Sequence, residues 1–119
     1  MRVWYSDPFE VPLPEGHRFP MGKYRRVREL LLERGVLTAN QLERSEPIAR
    51  AFLEKVHGRA YLDACFGGTL DEAALRRIGF PWSQGLLTRS LASAGGTLSA
   101  ARWALEHGAD VVVLLHGDG

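Results

Sequence analysis

Cysteine occurs only once, at Cys65, in a chain of 119 residues. A lone thiol excludes an internal disulfide framework, and without a C-x-x-C or similar neighbour it reads as a small packed side chain rather than a reactive one. An excess of charge is lacking as well: 15 basic residues stand against 14 acidic ones, for a formal net charge of +1. That balance predicts no bulk attraction to nucleic acid or to an anionic membrane. No apolar run is long enough for a membrane span, and the first residues show neither the basic start nor the apolar stretch of a signal peptide. The expected location is the cytoplasm. Internal repeats, heptads and low-complexity linkers are missing too. What remains, 45% hydrophobic and 24% charged, is ordinary globular material of a size that buries about 65% of its unfolded surface.

Along the chain, Arg2 to Ser6 is a short β-prone run with Val3 and Tyr5 on one side and Trp4 on the other, ended by Asp7-Pro8. Val11 to Gly16 is too rich in proline for regular structure, since each proline removes a donor and biases its predecessor to extended geometry. From Pro20, the apolar positions Tyr24, Val27, Leu30 and Leu31 recur at helical spacing until Gly35, predicting an amphipathic helix. Thr38 to Pro47 stays open: Thr38 and Gln41 are spaced as a capping box, with little apolar material behind them. Ile48, Ala51, Phe52 and Val56 give 47–56 a helical face, Gly58 to Phe66 allows another turn or two, and Asp71 caps a short helix through Ile78.

Ser83 opens the longest expected helix, with an apolar stripe of Leu87, Leu91, Ala94, Leu98, Ala101 and Leu105 before His107-Gly108. Gly95-Gly96 inside it costs about 1 kcal/mol per residue relative to alanine, so close packing against a neighbour is expected there. Asp110 to His116 holds Val111, Val112, Val113, Leu114 and Leu115 without alternation, as a strand covered on both faces would. Two strands separated by helices predict an α/β unit with a parallel pair, because a crossover of that length returns the chain in the same direction.

Three segments carry a family resemblance: His17-Arg18-Phe19-Pro20-Met21-Gly22-Lys23-Tyr24; Val56-His57-Gly58-Arg59-Ala60-Tyr61, as an H-x-x-x-Y segment; and Ile78-Gly79-Phe80-Pro81-Trp82-Ser83 followed by Ala94-Gly95-Gly96-Thr97-Leu98. Together they resemble the histone deacetylase, acetoin-utilisation and acetylpolyamine amidohydrolase superfamily, most closely its class-IV-like bacterial members, from about Met1 to Gly108. The resemblance implies an arginase/deacetylase-type α/β fold around a parallel sheet of about eight strands, of which this chain, as a single N-terminal fragment over 1–119, would supply about two. A sheet of two strands has uncovered edges, so a homo-oligomer that pairs edges or swaps elements is expected, with a complementing chain as a further possible partner.

The family's reaction is hydrolysis of an acetyl-lysine or acetylated-amine amide. It uses zinc held by two Asp and one His, a His-His pair for proton transfer and a Tyr for the oxyanion. Where that pattern calls for a short strand and then Gly-Gly-x-His-His, this chain has Ala109-Asp110, the apolar run and His116. An early stop, a reading-frame change or deliberate shortening would each give this picture. No catalytic residue is carried over, no metal ligand is assigned, and the chain alone is expected to be inactive.

By resemblance, Lys23 lies near the active-site floor, where a cation assists product acetate, and Trp82 lies near the pocket rim, where a ring flanks the acyl-lysine stem; burial is the alternative for Trp82. His116-x-Asp118 is the one local pairing of metal-ligand type, and a polar terminus is the favoured reading of it. His17 and His57 are expected to make loop or helix-end hydrogen bonds. Arg18, Lys23, Arg25, Arg26 and Arg28 form a basic stretch free of acids, yet Val27, Leu30 and Leu31 claim one helix face for the core. A solvated face is favoured there over a nucleic-acid surface. The alternative function is a small self-associating or partner-binding module that uses a strand edge.

Overall fold

The structure is a computed structural model that describes residues 1–108 and 112–115. Its secondary structure is mixed and mostly helical, with three short parallel strands. Strand β1 (Arg2–Tyr5) is central in the order β2-β1-β3, with β2 at Leu42–Arg44 and β3 at Val112–Leu115. Val3 pairs with Leu42 on one side and Val113 on the other, which fixes both registers.

About two strands were expected, and three are present among the described residues. The missed one, β2, is three residues long and carries Leu-Glu-Arg, with Glu43 and Arg44 exposed. A strand so short and charged has no apolar alternation to read, and those charges also guard a sheet edge. The Thr38–Gln41 spacing positions it. The Gln41 side chain accepts from the Thr38 N–H at 2.9 Å and donates to the Met1 carbonyl at 3.3 Å, pinning a 3-10 turn over Ala39–Gln41 to the start of β1.

Helix α1 spans Lys23–Glu33, three residues later than the expected start at Pro20, and Gly35 stops it at φ 67°. The expected helix over 47–56 is one turn, α2 (Arg50–Leu53). Then come α3 (Arg59–Gly67) and α4 (Glu72–Ile78), the latter capped by Asp71, whose carboxylate accepts from the Ala74 N–H at 2.7 Å. Helix α5 runs from Gln84 to His107, opened by Ser83, whose hydroxyl accepts from the Leu86 N–H at 2.9 Å. No helix among the described residues is long and apolar enough to cross a membrane.

The expected stripe on α5 does not form the buried face. Leu87, Leu91, Ala94 and Leu98 are half-buried, Ala101 is exposed, and Leu105 is 85% exposed. The buried residues are Leu86, Arg89, Ala92, Gly95, Gly96 and Ala100, a face of mostly small residues. Small residues are needed because a backbone crosses there. The Ile48 N–H donates to the Leu91 carbonyl at 2.8 Å, and a Cβ on Gly95 would overlap the Glu46 carbonyl oxygen. The close packing expected at Gly95 is thus present, against the extended segment that leads from β2 to α2.

Helix α5 reaches the sheet through Trp103, which meets Trp4 edge-on at 6.1 Å. Tyr5, on the opposite face of β1, lies under the Arg28 guanidinium of α1 at 4.6 Å. Val3 and Trp4 are both buried, so β1 is covered on its two faces. Asp110 and Val111 of the expected final strand lie outside the described residues, and for β3 only the backbone is described.

Candidate functional site

Parallel sheets place ligand sites outside the carboxyl ends of their strands, and charged groups collect at that end of β1. Asp7 is 4% exposed. Arg28 grips it side-on, Nε donating to Oδ1 at 2.7 Å and Nη2 to Oδ2 at 2.8 Å, while Arg25 stands 3.8 Å from Oδ2 and pairs with Glu10 at 2.7 Å. The Arg28 guanidinium is held above its ordinary value first by its hydrogen bond to Asp7, with Coulombic help from the same carboxylate and an opposing effect of burial. Arg26 pairs with Glu29 and Glu33 on the outer face of α1. Three of the five cations in the basic stretch are therefore held by acids of this chain.

Ser6 and Ser45 follow the last residue pair of β1 and β2, Tyr5 with Arg44, and the Ser45 N–H extends the ladder by donating to the Tyr5 carbonyl at 2.8 Å. Both side chains are buried, and neither hydroxyl has a partner among the described residues. The Ser6 carbonyl accepts twice, from the Phe9 N–H at 3.0 Å and from Arg89 Nη1 at 2.9 Å. Arg89 Nη1 also donates to the Phe9 carbonyl at 3.2 Å. A cation from the second turn of α5 thereby fastens the turn that leaves β1.

Beside Arg89 is a cavity of about 250 Å³ walled by Val11, Phe19, Met21, Ile78, Phe80 and Leu86, with Tyr24 from α1 and with Arg89, Ser90 and Ser93 from α5. Two of the motif blocks build it jointly. His17 accepts from the Phe19 N–H through Nδ1 at 3.1 Å, which leaves the proton on Nε2 to be donated to the Gly79 carbonyl at 3.3 Å. Its ring stacks on Phe80 at 5.5 Å, and Phe19 meets Phe80 edge-on at 5.1 Å. The expected helix-end hydrogen bond of His17 is thus present. His57 is exposed, its ring 5.5 Å from that of Tyr61.

Lys23 is exposed, and its ammonium lies 5.0 Å from the ring centroids of both Phe19 and Tyr24, two walls of this cavity. Trp82 lines a second cavity, of about 210 Å³, with Tyr61, Cys65, Leu70 and Leu87. It is half-buried and donates from Nε1 to the Cys65 carbonyl at 2.9 Å, while a Cβ on Gly68 would press against its ring. The two cavities share Ile78, Leu86 and Ser90 as a common wall, so Lys23 and Trp82 are not brought together. Cys65 holds the Tyr61 phenol above its ordinary value, first by hydrogen bonding, then by charge, with burial adding to both. Among the described residues no three His, Cys, Asp or Glu gather to hold a metal ion. His116 and Asp118 lie outside the described residues.

Sequence reasoning missed Asp7 and Arg89. Arg89 carries a faint signal, since it sits three residues from both Leu86 and Ala92 on the small-residue face. The leucines one turn-third away outweighed it.

No family model matches the chain. A curated protein of Picosynechococcus sp., described as uncharacterized, is 47% identical over 106 residues. The match takes in 89% of this chain and 35% of that protein, so the chain spans about a third of its relative's length.

Proposed function

We propose that this chain forms the N-terminal part of a zinc-dependent amidohydrolase of the histone deacetylase type, and that by itself it does not catalyse. The observation that carries the reading is the meeting of two blocks that the resemblance names separately. His17 and Phe19 from the first block pack on Phe80 of the last, and His17 bonds the carbonyl of Gly79 beside it. Segments some sixty residues apart have become one cluster, as parts of one pocket wall require. The parallel order around β1 supports an α/β domain.

In the family the reaction is hydrolysis of an acetyl-lysine or acetylated amine, and zinc supplies the Lewis acid that activates water. The described residues do not fit that metal, because they gather no ligand set, and no step of the reaction is assigned to them. What they supply in this reading is scaffold: β1 with its Asp7–Arg28 lock, the cavity wall, and Lys23 and Trp82 as substrate-side groups. The test compares the purified chain with the full-length Picosynechococcus relative on an acetyl-lysine peptide. The relative is expected to release acetate in a chelator-sensitive way, and the 119-residue chain to release none. Zinc-dependent turnover by the short chain, or none by the relative, would overturn the reading.

A second reading, a self-associating module, draws on the sheet. Among the described residues nothing pairs with the outer edge of β2 or of β3, and β2 is the edge that charges protect. The edge of β3 is then where another polypeptide, a second copy included, would add a strand.

A further inference from the structure

We propose that the outer face of α5 near its C-terminal end, formed by Leu98, Ala101 and Leu105, is the interface for a second copy of this chain, the two helices packing antiparallel about a two-fold axis beside Ala101. The inference does not rest on the deacetylase reading, and it places self-association on a helix face instead of a strand edge. Its starting point is the stripe that the sequence marks for burial and the fold leaves open. At 3.6 residues per turn, the centre of the stripe from Leu87 to Leu105 stands about 180° around α5 from the centre of the buried face. The first half of the stripe is still covered, since Leu87 lines the cavity shared with Trp82 and Tyr61. The second half is not. Leu98 is half-buried, Ala101 is exposed, and Leu105, at 85%, is the most exposed large apolar side chain among the described residues.

Helix α2 widens this face. The Arg102 guanidinium carbon lies 5.0 Å from the ring centroid of Phe52, which brings α2 alongside the last turns of α5. One turn beyond Phe52 stands Val56, 77% exposed and second only to Leu105. The charges around the stripe are of both signs. Arg102 and Glu106 flank it, and Arg50 of α2 is paired with Glu54 and Asp63. A rim so balanced sets up no field that would draw nucleic acid or an anionic membrane, and it does not repel a copy of itself.

Two observations select a second copy as the occupant. The stripe is self-complementary: at 1.5 Å per residue, Leu98 and Leu105 lie about 5 Å to either side of a midpoint just past Ala101. An antiparallel pair therefore sets each Leu98 against Leu105 of the other copy, as an isologous contact requires, and the small alanine at the centre lets the axes approach to about 8 Å. Arg102, beside the axis, would face its own mate, and its contact with Phe52 draws it aside. The second observation is area. The accessible surface of 7611 Å² exceeds by about 1,200 Å² that of a compact chain of this mass, and a stable interface removes about 800 Å² from each partner.

Sedimentation equilibrium of the 119-residue chain should fit a monomer–dimer equilibrium with a Kd on the order of 10 μM. Leu105→Glu should raise that Kd about a hundredfold, because a two-fold interface loses the contact twice. Its circular dichroism and melting curve at low concentration should match those of the unaltered chain, since the side chain replaced is 85% exposed. Val36→Glu, at a site 62% exposed beyond the end of α1, is the control and should leave the Kd unchanged. Orientation is read by oxidation in a Cys65→Ser background: a Leu98→Cys chain mixed with a Leu105→Cys chain should give the mixed disulfide in preference to either symmetric one. A monomer up to about 100 μM, or association that Leu105→Glu does not weaken, would overturn the proposal, the latter result returning the contact to the β3 edge. Predominance of the symmetric disulfides would overturn it too. So would a monomer that takes up the coexpressed remainder of the Picosynechococcus relative, which would assign this face to that polypeptide.

Discussion

At the scale of residues, the chain is held at the end of β1 by one buried carboxylate. Asp7 is 4% exposed, and two short bonds from Arg28 compensate its charge. Removing one partner of a buried pair costs more than the pair contributes, since the survivor keeps its desolvation penalty. Arg28→Met should therefore destabilise the chain by about 3 kcal/mol, read from chemical denaturation, with Arg25 at 3.8 Å only a partial substitute. Arg28→Lys keeps a charge but not the side-on fork and should fall between the two. A change below about 0.5 kcal/mol for the methionine variant would mean that the carboxylate is solvated after all. None of this was legible in the sequence. Arg28 reads there as one of five cations on a solvated face, and Asp7 as the end of a strand, because a long-range pair leaves no periodic trace. By contrast, the hydrogen-bonding role of His17 was legible in kind, though its partner, 62 residues away, was not.

Among the elements, α5 shows how a helix can bury its small face. Of its leucines only Leu86 is buried, the others being half-buried or exposed, while the small residues Ala92, Gly95 and Ala100 are buried and a backbone crosses at Gly95. Alanine is the better helix former by about 1 kcal/mol, so Gly95→Ala would stabilise an isolated α5. In the folded chain the added methyl group meets the Glu46 carbonyl, and overpacking of this kind costs about 1–3 kcal/mol, so net destabilisation is expected. Gly67, in the last turn of α3, provides the control, because a Cβ there meets nothing within 4 Å. Gly67→Ala should raise the melting temperature slightly and Gly95→Ala should lower it. The opposite order would remove the close approach from the account of this fold. The caps at Asp71 and Ser83 were readable because each depends on a residue three positions away. Strand β2 was not, since three residues that owe their pairing to β1 carry no pattern of their own.

Taken whole, the molecule is a slab of 43 × 37 × 17 Å with a radius of gyration of 15.6 Å, where a compact chain of this length would have about 13.5 Å. Its accessible surface of 7611 Å² likewise exceeds the roughly 6,400 Å² typical of this mass. Leu105 and Val56 add exposed apolar area, at 85% and 77%. Such a slab should self-associate, and sedimentation equilibrium should return a mass that rises with concentration. A monomer throughout the micromolar range would argue that the open faces are tolerated. The sequence by itself determined the elements whose signals are local: the extended run at β1, the helices set by caps and glycine stops, and the crossover length that makes the strands parallel. Tertiary structure alone decided which face of α5 is buried, that β2 joins the sheet, which arginine holds Asp7, and that Arg89 is buried beside an apolar cavity. Those outcomes depend on where distant backbones approach one another, and a burial pattern set by such an approach can override the hydrophobic periodicity from which a single chain is read.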